Sequence, residues 1–182
     1  FVAITPIGYL PLVTFCRRND ILAMTLPNNS LRFTTGMAYY ARGVAFSAKG
    51  RWAEARAALD TVTAIANAFG QGENKIALQV AQHALSGEIA LRRQSFGEAI
   101  REFRAAVALE DRMGYAEPPT WYYPTRQSLG KALLAAGRYR EAEKVYREDL
   151  DRFPENGWSL YGLTRSLTLQ DKRQQANTAK RR

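Results

Sequence analysis

The chain has 182 residues, with 26 Lys and Arg against 17 Asp and Glu (net charge +9) and 46% apolar residues, enough for one or two compact domains or one short repeat array. Its single cysteine, Cys16, excludes an internal disulfide and a thiolate metal cage. The longest uncharged stretch, Phe1 to Cys16, is broken by Pro6 and Pro11 and falls short of the roughly 20 apolar residues that a membrane span needs.

A basic balance favours acidic partners. The clusters Arg17-Arg18, Arg92-Arg93 and Lys180-Arg181-Arg182 are short, so most of the charge reads as solvated helix surface. The chain begins at Phe1 rather than Met, which predicts a longer parent protein. No basic stretch precedes the apolar start, as a secretory signal would require. Residues Ile7 to Leu26 read as a degenerate helix pair, with Asn19-Asp20-Ile21-Leu22 opening the second helix. Cys16, within the apolar run Leu12 to Phe15, reads as a small core residue. Pro27-Asn28-Asn29-Ser30 reads as a loop and cap.

Three segments then align without gaps: Ala38 to Leu59, Gln82 to Phe103 and Thr125 to Tyr146. A glycine recurs at Gly43, Gly87 and Gly130, an aromatic at Trp52, Phe96 and Tyr139, and a glutamate at Glu54, Glu98 and Glu141. An alanine follows at Ala55, Ala99 and Ala142, and a large apolar residue at Leu59, Phe103 and Tyr146. The small residues suit a close helix crossing, the aromatic fills the wedge between the pair, and residues four apart share a helical face. Gly50 and Gly137 fall in the turn between the two helices, where positive φ is favoured. Gln94 holds that place in the second segment and predicts a different or strained turn.

Gly43 and Gly87 are 44 residues apart, and Gly87 and Gly130 are 43 apart. The extra length is assigned to Ala66–Asn74 and Asp111–Trp121, with longer helices as the alternative. In the second insertion Glu117-Pro-Pro-Thr-Trp-Tyr-Tyr-Pro124 predicts a rigid packed loop, with Thr120 capping the next helix and a protruding recognition loop as the other reading. A further unit begins near Gly157. Its polar second helix, with Gln174, Gln175, Asn177 and Lys180, suits a terminal cap. The chain thus divides into a degenerate segment over 1–30, repeats over 36–70, 80–113 and 123–156, and a capping repeat over 157–180, within one domain over 1–182.

This pattern resembles the tetratricopeptide (TPR) repeat, a helix-turn-helix of about 34 residues with small residues at two crossing points and a proline after the second helix. Pro154 matches that proline, whereas Asn67 and Asp111 replace it in the first two repeats and the usual first-helix tryptophan is missing. The stretch from Glu117 to Leu163 resembles the C-terminal part of a group of bacterial TPR proteins of unassigned activity, whose histidine-containing portion lies upstream. The resemblance implies an all-α, right-handed α-α superhelix whose first helices line a concave face. Carried over by position, its contact residues fall on Tyr40 and Val44, Ala84 and Glu88, Gln127 and Lys131, and Trp158, Tyr161 and Arg165. The last three have the residue types enriched at binding hot spots, although packing of Trp158 and Tyr161 on the third repeat is an equal alternative. The donors that clamp the carboxylate tail of heat-shock chaperones in some members correspond to Tyr40, Val44, Leu85, Pro124 and Gln127, none of which suits that task.

Catalytic constellations are not evident. His83 stands alone and reads as a packing residue. Phosphate-loop, GxSxG and HExxH patterns are missing, and Glu110-Asp111 and Glu148-Asp149-Asp151 read as solvated faces. The expectation is a non-enzymatic scaffold without cofactor or metal. It would bind another protein, through an acidic or extended segment, or belong to a larger complex. A supporting solenoid for an upstream enzyme or sensor ranks second. A nucleic-acid binder that stacks bases on Trp158 and Tyr161 ranks third. A homo-oligomer stays open, and bacterial cytoplasm and periplasm both remain compatible.

Overall fold

Among the described residues, ten helices are joined in five successive pairs: α1 (Tyr9–Thr14) with α2 (Arg18–Ala23), α3 (Arg32–Ala48) with α4 (Trp52–Ala68), α5 (Glu73–Arg92) with α6 (Phe96–Glu110), α7 (Thr125–Ala135) with α8 (Tyr139–Arg152), and α9 (Gly157–Thr168) with α10 (Arg173–Lys180). The computed structural model describes residues 9–28, 30–117, 120–121 and 123–182, and no strand occurs among them. Each pair packs on the pair before and after it in the chain, first helix against first helix.

One local device makes every pair. After each first helix a single residue enters the left-handed region: Cys16 (φ 56°), Gly50 (71°), Gln94 (61°), Gly137 (73°) and Asp171 (58°). The next amide then reaches back across the helix end. Arg17 N–H donates to Leu12 O at 2.8 Å, Arg51 to Phe46 at 3.0 Å, Ser95 to Ala90 at 2.9 Å, Arg138 to Leu133 at 2.9 Å and Lys172 to Leu167 at 3.0 Å. This is a Schellman closure, which satisfies helix-end carbonyls and reverses the chain within three residues. Gln94 therefore makes the same turn as its glycine counterparts and bears the strain of a side chain at positive φ. Cys16 does so too. It is exposed at the helix end rather than buried in a core, because the turn points it away from the packed faces.

The small-residue columns are explained by what faces them. A Cβ at Gly43 would overlap the Leu85 side chain of α5, one at Gly87 the ring of Phe103, and one at Gly130 or Gly162 the ring of Tyr146. Tyr146 thus lies between two glycines of successive first helices. The paired columns Ala55/Leu59, Ala99/Phe103 and Ala142/Tyr146 are buried. The aromatic column is less uniform. Phe96 packs on the core, whereas Trp52 is 40% exposed. The glutamates sit in the first turn of each second helix, where negative charge meets the helix dipole. Arg51 and Arg138, at the N-caps, hold the Glu54 and Glu141 carboxyls below the usual range.

The two insertions are accommodated differently. The first is absorbed by helix length: α4 and α5 have 17 and 20 residues and are joined by residues 69–72 alone. The second is the connection 111–124, which is pinned at several points. The Glu110 carboxylate accepts the Thr125 N–H at 2.9 Å, capping α7 from the preceding helix where Pro124, at the N-cap, offers no side-chain acceptor. Asp111 grips the Arg126 guanidinium with two bonds of 2.7 Å and also pairs with Arg152 at 2.7 Å. Glu73 accepts from Gly114 N–H at 2.9 Å and from Thr120 Oγ1 at 3.5 Å, so Thr120 ties the loop to α5 and does not cap α7. Pro118, Pro119 and Tyr122, part of the sequence-predicted rigid loop, and Asn29 of the expected cap lie outside the described residues. Glu110 and Asp111 are thus structural clamps rather than a solvated face.

Gln94→Gly removes the Cβ from a left-handed position and should stabilise the chain by about 1 kcal/mol, read in calorimetry as a rise of about 2–4 °C in Tm. Gly137→Ala should lower it by a similar amount. Asp111→Ala strands Arg126, whose side chain is 10% exposed, and should cost about 2 kcal/mol. Arg126 holds the Asp111 carboxyl below its ordinary value. The stability this residue contributes is therefore complete at neutral pH and is lost as pH falls below about 4. Denaturant midpoints across that range would show a larger loss in the parent chain than in Asp111→Ala.

Candidate binding groove

Four-residue steps along the first helices place one stripe of each on a common surface. Tyr40, Val44 and Ala48 come from α3, Ala84, Glu88 and Arg92 from α5, Gln127 and Lys131 from α7, and Trp158, Tyr161 and Arg165 from α9. The N-terminal pair adds Leu12, Val13, Cys16 and Arg18, and the connection before α7 adds Trp121 and Tyr123. Together they line one cleft of about 620 Å³. The left-handed turns are the cause: each reverses the chain the same way, so all the first helices lie on the same side.

All of the sequence-predicted contact positions lie along this cleft, in different settings. Tyr40 and Gln127 are buried in its floor, and the Tyr40 ring meets Trp121 edge-on at 5.3 Å. Trp121 is buried and donates its indole N–H to Tyr123 O at 2.7 Å, so this part of the connection is groove wall, while Tyr115 upstream of it is exposed. Burial drives the Tyr40 and Tyr146 phenols far above their ordinary pKa and keeps both neutral. Trp158 and Tyr161 are 62% and 66% exposed and do not bury themselves against the preceding pair. Asn156 accepts from the Trp158 and Ser159 amides at 3.0 and 3.4 Å, fixing the start of α9 and with it the direction of both rings.

The groove's charges are uneven. Glu88 is neutralised by Arg92 at 2.5 Å. Arg18, Lys131 and Arg165 form no ion pair among the described residues. Several cations of the second helices are paired instead: Arg104 with Glu141 at 2.8 Å and Arg147 with Glu143 at 3.0 Å. Beneath the floor Asp149 is fully buried and accepts from Ser159 Oγ at 2.5 Å. It is no solvated carboxylate. Burial raises its pKa, opposed by Ser159 and Gln127 and by the more distant charges of Arg126 and Arg152.

His83 is half-buried and its Nδ1 lies 2.9 Å from Glu102 Oε2, a polar contact that links α5 to α6. No group of three or more His, Cys, Asp or Glu placed to hold a metal occurs among the described residues. No described helix is long and apolar enough to cross a membrane. Sequence reasoning did not place Arg92, Trp121, Tyr123 or the N-terminal pair on the groove. Arg92 was within reach, being one more four-residue step beyond Glu88. The others depend on how the loop and the first pair fold back.

A buried carboxyl with a raised pKa makes its ionised form costly, so that cost is relieved as pH falls through its folded pKa. Removing the charge with Asp149→Asn should leave a chain whose stability gains less than the parent's as pH falls from about 7 toward the ordinary aspartate value of about 4. Urea midpoints measured at both pH values would check this, and equal gains would place the proton uptake elsewhere. No family model, no curated protein and no solved structure matches this chain.

Proposed function

We propose that this protein is a TPR-like helical-repeat scaffold that binds an extended segment of another protein in the groove of its first helices, without catalysing a reaction. The observation that carries this reading is the exposure of Trp158 and Tyr161 on the groove side of α9, beside Arg165, which has no ion-pair partner among the described residues. Large rings at a free surface expose apolar area to water, and aromatic and arginine side chains dominate binding energy where a partner covers them. A cleft of about 620 Å³ is of ligand-pocket size and suits a peptide strand rather than a folded domain. The floor and wall are prebuilt from buried Tyr40, Tyr146 and Trp121, so little ordering cost falls on the receptor side.

The repeat geometry supports the TPR-like part of the reading. Left-handed turn residues are 34 positions apart at both ends of the chain, from Cys16 to Gly50 and from Gly137 to Asp171, the period of that motif. Stacking of each pair on its chain neighbours is the quasi-linear arrangement of solenoids.

Random linear peptides displayed on phage should enrich on the immobilised chain. Binding of the selected peptides should weaken by at least about 30-fold in Trp158→Ala/Tyr161→Ala, the loss of a hot spot worth about 2 kcal/mol. Both rings are exposed, so the variant should keep the parent's helical circular dichroism and Tm. Failure to enrich any peptide, or equal binding to the variant, would defeat the proposal.

A further inference from the structure

The net positive charge is not spread evenly over the two helical layers. The five first helices together carry seven Lys and Arg against two acids, Glu73 and Glu88. The five second helices carry ten against eleven. Both first-helix acids are occupied, Glu88 by Arg92 and Glu73 by the Gly114 amide. Along the groove, Lys131 and Arg165 are exposed and without an ion-pair partner among the described residues, and Arg18 at the N-terminal end is half-buried and likewise without one. A cleft with low-dielectric walls and one sign of free charge concentrates the opposite sign.

Resting on the groove reading above, we infer that the occupant is an acidic extended peptide. Its carboxylates meet Lys131 and Arg165, and an apolar or aromatic side chain lies on Trp158 and Tyr161. Lys131 sits on α7 and Arg165 on the neighbouring α9, which pack together, so the two cations can serve successive acidic side chains of one strand. The aromatic pair supplies contact area, and the cations supply the sign selectivity and the attraction that speeds encounter. Three free cations are few for nucleic acid, whose binding commonly neutralises about 6–10 phosphates, so a peptide is the better match.

The test is fluorescence anisotropy with three labelled pools of short degenerate peptides. Alternate positions are Glu or Asp in one pool, Gln or Asn in the second and Lys or Arg in the third, and the remaining positions are mixed aliphatic and aromatic. Labelled single-stranded oligothymidylate is the fourth probe. The acidic pool should bind at least about tenfold more tightly than the neutral pool, the basic pool should not bind, and added salt should narrow the gap. Lys131→Glu/Arg165→Glu should reverse the preference, and Lys131→Gln/Arg165→Gln should abolish it. Equal binding of the acidic and neutral pools would overturn the inference and leave the groove reading standing. So would an acidic preference unchanged in both variants, which would place the contacts elsewhere. Oligothymidylate that binds more tightly than the acidic pool and displaces it would overturn the inference in favour of a polyanion site. Binding of no pool would overturn the groove reading and the inference with it.

Discussion

Everything on the groove side depends on one backbone constraint, a single left-handed residue closing each first helix. The bond from the following amide back to a carbonyl five residues earlier recurs at Leu12, Phe46, Ala90, Leu133 and Leu167 and sets the angle at which the second helix leaves. Because the angle repeats, successive pairs stack in register and their first helices share one face. Glycine is the least costly solution, yet only Gly50 and Gly137 use it, and Cys16, Gln94 and Asp171 adopt the same conformation. The surrounding packing therefore imposes the turn where local preference alone would not.

Stacking then requires small residues where a neighbour's side chain crosses. The Tyr146 ring shows why one position is often not enough: it lies against both Gly130 of its own pair and Gly162 of the next. A single aromatic of a second helix thereby sets the spacing of α7 and α9, the two helices that present Lys131, Trp158, Tyr161 and Arg165. The long connection before α7 serves the same end from the other side. Its clamps, Glu110 on the Thr125 amide and Asp111 on Arg126, hold Trp121 against Tyr40 and so build the groove wall from residues outside the repeat.

The carboxylates divide by task. On second helices they match nearby arginines and lysines, leaving that layer close to neutral. Glu110 at the end of α6, with Asp111 and Glu73, fixes the long connection. The first helices are left with an excess of cations facing the cleft. In α4, α6 and α8 this segregation follows from the repeat itself, since these helices open with the glutamate column near their positive end, whereas α3, α7 and α9 have no acidic residue in the first turn.

The sequence by itself determined the helical class, the pairing of helices and the groove-facing stripe. Small, aromatic and large apolar columns recur at fixed offsets, and the 3.6-residue period places Tyr40, Glu88, Gln127, Lys131, Trp158, Tyr161 and Arg165 on equivalent faces. Such patterns are local, written within one helix pair at a time. Only the tertiary structure decided that Cys16 is exposed, that Gln94 takes the glycine turn, that one insertion lengthens helices while the other forms a pinned loop, and that Asp111 and Asp149 are structural carboxylates rather than solvated ones. Each of these depends on what lies across from a residue in another element. Arg126 is 15 positions from Asp111 and Glu73 is 41 from Gly114, separations at which no helical period connects the partners and only the folded chain brings them together.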